Sequence, residues 1–157
     1  MIEGERMPGR ALICQLSACL AAVSAAAADA SPSVELSNAW APAAAQAGAD
    51  VPVYLTIANR GGEPDSLLRF RCPAANFTEQ RTTDYGEGAP AGREIKSIPV
   101  PAGQPLVLAP GGYHLMLLKT TQPLKQGDTF TCSLTFKNGG RQDVSVTVAA
   151  EGAPAAP

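Results

Sequence analysis

The segment Val51–Asn59 constrains the fold of this chain more than any other stretch. Its apolar residues recur at every second position: Val51, Val53, Leu55 and Ile57. That two-residue period is the period of a β-strand, in which alternate side chains point to the same face. The segment is also rich in β-branched and aromatic residues, which favour strands. The sequence therefore predicts a strand here, with one face packed in a core.

Short segments of similar character recur along the chain between turns that are rich in glycine and proline. The 157 residues include 15 Gly and 14 Pro, and Asn138-Gly139-Gly140 is a strong hairpin signal. Further strands are predicted around His114 and at 34–40, 66–72, 93–99, 105–108, 129–137 and 143–148. The polar stretch 76–90 is predicted to be a loop. We expect an all-β fold, an antiparallel β-sandwich of about seven or eight short strands.

The first thirty residues have the pattern of an export signal. Arg6 and Arg10 precede an apolar run that reaches Ala28, and Ala28-Asp29-Ala30 fits a cleavage site. The run is too short and too weakly apolar to predict a membrane span. We therefore expect residues 1–30 to be a signal peptide, 31–148 to be one periplasmic domain and 149–157 to be a disordered tail.

Leu16-Ser17-Ala18-Cys19 offers an alternative to a freely released protein, because it resembles a bacterial lipobox. Cys19 would then carry a lipid, and the alanine-rich run after it would be a tether. Soluble export is favoured from the sequence because the apolar run continues past Cys19 instead of ending there.

The composition argues against several classes of function. The chain has 12 Lys and Arg against 14 Asp and Glu, a formal net charge of −2. No basic patch interleaved with aromatics is present, so nucleic acid is not expected as a partner. The only histidine has no evident nucleophile and orienting carboxylate, and no phosphate-binding glycine loop occurs, so we do not expect an enzyme.

Two cysteines, Cys72 and Cys132, follow the predicted signal peptide. Each alternates with apolar residues in a predicted strand, Cys72 with Leu68 and Phe70, so these side chains and both sulfurs are expected to point inward. An even number of cysteines in an oxidising compartment favours a disulfide. A pair of buried free thiols and a soft metal site are the alternatives.

His114 and Met116 form the most suggestive pair of polar and soft side chains. They are two residues apart in a predicted strand, so they share one face while Leu115 and Leu117 share the other. An imidazole and a thioether side by side are ligands that suit copper. Ordinary packing is the alternative, since methionine commonly fills gaps in cores.

The string Pro110-Gly111-Gly112-Tyr113-His114-Leu115-Met116, preceded by Pro99-Val100-Pro101-Ala102-Gly103, resembles the periplasmic copper chaperone family called PCu(A)C. The similarity extends over about 34–148. It implies a cupredoxin-like β-sandwich that holds Cu(I) near its surface and delivers it to the CuA subunit of cytochrome oxidase or to another copper-assembly protein. The family site resembles a histidine, a later methionine and a final His-x-Met pair, which is represented here by His114 and Met116.

The first two family ligands are replaced in this chain, which makes it a degenerate member. Alignment without gaps places Arg81 at the histidine position and Gly92 at the methionine position. Neither residue can donate a lone pair from its side chain to copper. The expectation is a reduced His-x-Met copper site completed from outside, with a metal-bridged dimer as one route. The alternative is a binding or scaffold module of the same fold that has lost copper delivery.

Overall fold

The structure, a computed structural model, describes residues 33–85 and 91–152. Ten β-strands and no helices lie within this part of the chain. The strands are β1 (Val34–Pro42), β2 (Val51–Asn59), β3 (Asp65–Arg71), β4 (Ala75–Asp84), β5 (Ala91–Glu94), β6 (Ile98–Val100), β7 (Pro105–Val107), β8 (His114–Thr120), β9 (Thr129–Phe136) and β10 (Gly140–Ala149).

Hydrogen-bonded neighbours follow the order β5-β4-β8-β2-β1-β10-β9-β3-β6, and β7 pairs with β2 beside this path. All pairings are antiparallel except that of β1 with β10. Strand β2 links β5, β4 and β8 to the rest of the sheet, since it pairs with β8 through residues 51–53 and with β1 through residues 54–59.

The sheet folds over so that β3 and β4 meet through side chains. Thr78 Oγ1 donates a hydrogen bond to the carbonyl of Phe70 at 2.6 Å, and Gln80 Nε2 donates one to the carbonyl of Leu68 at 3.1 Å. These bonds cover one edge of β3, which would otherwise present unpaired backbone groups. The two halves of the sheet therefore enclose one core.

The core consists of the inward residues of the alternating strands. The largest of its fully buried side chains are Leu55, Ile57, Leu67, Ile98, Leu108, Leu115, Leu117 and Leu134. The four apolar residues of β2 that the sequence placed inward are all buried. The period of two thus predicted this face correctly.

The predicted all-β fold class is confirmed, although the described residues form ten strands instead of seven or eight. Strand β4 occupies most of the predicted loop, and two strands, β5 and β6, replace the single one predicted at 93–99. Strand β4 escaped prediction because its inward side chains are polar and bond to β3. A second difference is the parallel pairing of β1 with β10.

One predicted face of β3 is also wrong. The sequence pattern placed Leu68 inward together with Phe70 and Cys72, but Leu68 is 46% exposed and Leu67 is fully buried. The pairing with β9 shifts register between Leu67 and Arg69. Such a bulge inserts one extra residue and reverses the faces of the residues before it.

Cys72 and Cys132 are joined by a disulfide, as the sequence predicted. Both cysteines are buried in the core, at 6% and 1% exposure. The bridge links positions 60 residues apart, and in the chain-entropy model such a closure stabilises the fold by about 4 kcal/mol. It ties the residue that follows β3 to the neighbouring strand β9.

The predicted signal peptide and Cys19 lie outside the described residues, as do 86–90 and 153–157. Strand β10 ends at Ala149. No helix in the described part is long and apolar enough to cross a bilayer.

Asp65 is a buried carboxylate that fixes the β9–β10 hairpin. Its Oδ1 accepts hydrogen bonds from the main-chain N–H groups of Ser66 (2.7 Å) and Asn138 (2.9 Å), and its Oδ2 accepts one from Gly139 (2.7 Å). Burial alone would raise the pKa of Asp65, but these backbone donors act in the opposite direction and the net effect lowers it. The charged form of Asp65 therefore stabilises the hairpin.

We expect Asp65→Asn to lower the free energy of unfolding by about 2 kcal/mol at pH 7, because an amide turns an N–H₂ group toward backbone donors. A lowered folded-state pKa gives stability that is present above the unfolded pKa of about 3.9 and is lost as the pH falls through the folded value. The difference between wild type and variant, measured by urea unfolding, should therefore shrink below about pH 4.

Glu63→Gln is the control, since Glu63 is exposed. It should leave the free energy of unfolding nearly unchanged at pH 7 and at pH 3. An Asp65→Asn penalty of the same size at pH 7 and at pH 3 would contradict this account of the hairpin.

Candidate metal centre

Strand β8 holds His114 and Met116 on the face opposite the core. Leu115 and Leu117, which alternate with them, are fully buried, whereas His114 and Met116 are half-buried. The leucines anchor the strand, so the imidazole and the thioether are presented side by side near the surface. The Cα atoms of the two residues are about 7 Å apart, the repeat of two extended residues.

A hydrogen bond from the ring to a backbone carbonyl orients the imidazole of His114. Its Nδ1 lies 3.0 Å from the carbonyl oxygen of Gly112. Because a carbonyl oxygen can only accept, Nδ1 must carry the proton in this contact. The lone pair of the neutral ring is then on Nε2, the atom that can bind a metal.

Strand β4 places a charged pair directly beside these two side chains. The register pairs Arg81 with His114 and Glu79 with Met116. Nη2 and Nε of Arg81 lie 2.7 and 2.8 Å from the same carboxylate oxygen of Glu79. The two side chains are only 31% and 23% exposed. A partly buried ion pair therefore occupies the surface next to His114 and Met116.

Gly92 on β5 lies at the same place. A Cβ at this position would be 3.7 Å from Nε2 of His114 and 3.6 and 3.7 Å from Cδ and Nη1 of Arg81. The structure thus brings together Arg81, Gly92 and His114, which are far apart in the chain. Met116 is the next outward residue of β8.

The backbone does not require glycine at position 92. Gly92 is not among the glycines with a positive φ, and the contacts of an added Cβ are of ordinary van der Waals length. A side chain can therefore be accommodated there. What Gly92 lacks is a donor atom that could face Nε2 of His114.

Few other ligands are available nearby. No group of three or more His, Cys, Asp or Glu side chains suited to a metal occurs in the described part of the chain. Of the acidic residues at the end of β4 and just after it, Asp84 lies 3.7 Å from Arg93 in an ion pair, and Glu87 lies outside the described residues. Both cysteines between positions 33 and 152, Cys72 and Cys132, are used in the disulfide.

Glu79 is the site residue that sequence reasoning missed. It falls in the stretch predicted to be a loop, where no face could be assigned to it. Phe77, Glu79, Arg81 and Thr83 alternate along β4 on its outer face, and this alternation was the only sequence pattern that could have indicated a strand. Three of the four are polar, and the apolar one, Phe77, is 61% exposed. That pattern does not resemble a strand packed against a core.

A family profile described as "Putative lipoprotein LpqE-like" matches residues 34–148. The chain is also 32% identical over 116 residues to a protein of Leifsonia xyli described as "Putative lipoprotein Lxx21020", covering 73% of this chain and 69% of that one. The chain belongs to the LpqE-like family.

Solved structures similar to this LpqE-like chain are PCuAC domains. The copper-bound PCuAC domain from PmoF2 has a TM-score of 0.63 at 19% identity and covers 75% of this chain and 93% of that domain. Apo-DR1885 from Deinococcus radiodurans has a TM-score of 0.60 at 25% identity, covering 96% and 98%. Its Cu(I) form has a TM-score of 0.58 at 28% identity, covering 79% and 83%. The resemblance to PCu(A)C noted in the sequence is confirmed.

We expect the double substitution Arg81→His with Gly92→Met to tighten Cu(I) binding by more than about tenfold, because it places an imidazole and a thioether beside Nε2 of His114. Competition with a chromogenic Cu(I) chelator under anaerobic conditions measures the change.

The matched control is Arg93→His with Gly92→Met, in which the same residue types are added but the imidazole stands on the other face of β5. Because both variants carry Met at position 92, the comparison tests the imidazole at position 81, and equal tightening in the two would mean that this imidazole does not bind the ion.

Proposed function

We propose that this domain is an exported, copper-chaperone-like protein that holds Cu(I) through Nε2 of His114 and Sδ of Met116. The orientation of His114 carries the proposal: the bond from Nδ1 to the carbonyl of Gly112 leaves the lone pair of the neutral ring on Nε2, and Met116 is the next outward residue of the same strand. Imidazole and thioether are ligands that suit Cu(I). The similarity to copper-bound PCuAC domains supports the choice of metal.

The surroundings of the two ligands favour weak, transferable binding. Arg81 is a cation next to the proposed ion, but its pairing with Glu79 offsets its charge. Two ligands leave Cu(I) undercoordinated, so the remaining donors come from outside the chain. A weakly held, exposed ion can pass to an acceptor, and we propose the CuA subunit of cytochrome oxidase or another copper-assembly protein in that role.

We expect His114→Ala and Met116→Leu each to weaken Cu(I) binding by about tenfold or more, and the two together to abolish it. Anaerobic titration against a chromogenic chelator measures the affinity.

Lys137→Ala is the control. It removes an exposed side chain just after β9 and should leave the Cu(I) affinity unchanged. The copper proposal is wrong if wild type and the double variant bind Cu(I) equally weakly.

A second copy of the chain is one source of the missing ligands. Two His114–Met116 pairs would supply two imidazoles and two thioethers to a single ion. We expect half an equivalent of Cu(I) to double the solution mass measured anaerobically by light scattering, and His114→Ala to prevent the change. A monomeric mass that does not change on addition of Cu(I) would contradict the prediction of a copper-bridged dimer.

The second candidate function is a binding or scaffold module of this fold without copper transfer. The ion pair of Arg81 with Glu79 favours it, because that pair fills the surface where the family places a ligand. The Cu(I) titration separates the two functions. We propose no enzymatic role, since the hydrogen bond of His114 goes to a main-chain carbonyl and not to a nucleophile or an orienting carboxylate.

For localisation, we propose that the protein is exported and anchored through a lipid on Cys19. The family description and the Leifsonia relative both carry the word lipoprotein, which supports this alternative over the soluble form. Metabolic labelling with an alkyne fatty acid should mark the protein, and Cys19→Ser should remove the label while Cys14→Ser retains it. Label that persists in Cys19→Ser would exclude the anchor.

A further inference from the structure

A cleft of about 730 Å³ lies at the opposite end of β3 from the Asp65 hairpin contact. Its walls come from β3, from the start of β4 and from the outer faces of β9 and β10, and the cysteines of the disulfide line it. Two features of its lining stand out: a pair of arginines, Arg69 and Arg71, and the exposed ring of Phe77.

Arg69 and Arg71 differ from the other arginines in the described residues. Each of the others makes an ion pair: Arg60 with Glu35, Arg81 with Glu79, Arg93 with Asp84 and Arg141 with Asp143. Within the described part of the chain, Arg69 and Arg71 have no carboxylate within ion-pair distance. Both are exposed. Their guanidinium groups are therefore available to an incoming anion.

The charged side chains that line the cleft are three arginines and one aspartate, so the lining carries a net positive charge. Its only carboxylate is Asp143, which lies 3.4 Å from Arg141 and offsets that arginine. The two remaining guanidinium groups have no counter-charge in the lining, although the whole chain carries a formal charge of −2. The net positive charge of this lining favours an anionic partner.

The strand geometry sets the spacing of a matching ligand. Arg69 and Arg71 are alternate residues of β3 that share the outer face, paired with Thr135 and Ser133 of β9. Alternate strand residues are about 7 Å apart, which is also the spacing of alternate side chains in an extended peptide. Guanidinium groups bind carboxylates in bidentate fashion. The pair therefore fits two acidic side chains at positions i and i+2.

We propose that this cleft binds an extended acidic segment of a partner protein, with alternate carboxylates on Arg69 and Arg71 and an apolar side chain against Phe77. A lipid surface fits less well, because the site is concave and the protein as a whole is acidic. The proposal does not depend on copper binding.

The test uses the whole protein and two fluorescein-labelled peptides of the same composition, one with Glu at alternate positions and one with its Glu residues in a block. Fluorescence anisotropy at low ionic strength should show tighter binding of the alternating peptide. Arg69→Ala with Arg71→Ala should weaken that binding by about tenfold or more, and added salt should weaken it in wild type. Lys125→Ala with Lys137→Ala removes the same charge elsewhere and should have little effect.

Two further measurements keep the outcome decisive. Amide chemical shifts of wild type should move on peptide addition at Arg69–Phe77 and at Thr131–Ser133, and Arg69→Glu with Arg71→Glu should instead bind an alternating lysine peptide. Equal weakening in the lysine control, or no peptide binding by wild type, would overturn the proposal. So would arginine-dependent binding to phosphatidylglycerol vesicles without peptide binding, since that outcome identifies a membrane surface.

Discussion

The pairing of β4 with β8 determines the chemistry available around the only histidine. In an antiparallel pair, residues directly opposite each other share a face. Leu115 and Leu117 fix which face of β8 is buried, and His114 and Met116 must therefore point outward. The same register sets Arg81 against His114 and Glu79 against Met116. Because β5 adds Gly92 at this point, every residue of the candidate centre depends on these pairings.

The centre combines features that favour metal binding with features that oppose it. The hydrogen bond from Nδ1 of His114 holds the ring with Nε2 outward, as in many metal sites where the second ring nitrogen is bonded elsewhere. Arg81 and Gly92 withhold two donors, and the pairing of Arg81 with Glu79 keeps the local charge near neutral. The account that fits both sets of features is a partial Cu(I) site that takes further ligands from a partner.

Sequence patterns predicted the parts of the molecule in which one face is apolar. Strand β2, the His114 strand and the β9–β10 hairpin follow the two-residue period closely, and the disulfide follows from two inward cysteines. Strand β4 could not be predicted in this way, because Thr78 and Gln80 face inward and bond to β3. The bulge at Leu68 and the hydrogen bonds by which Asp65 fixes the β9–β10 hairpin depend on residues distant in the chain, so the local sequence does not indicate them. Glu79 was missed for the same reason as β4.

The measurement that tests the copper site most directly is the nitrogen NMR spectrum of His114 during anaerobic addition of Cu(I). The chain has one histidine, so its two ring nitrogens can be assigned without ambiguity. We expect Nδ1 to carry the proton before and after addition, while the Nε2 resonance shifts and the methyl resonance of Met116 shifts with it. An unchanged Nε2 resonance at saturating Cu(I), or a shift confined to Nδ1, would contradict the proposed centre.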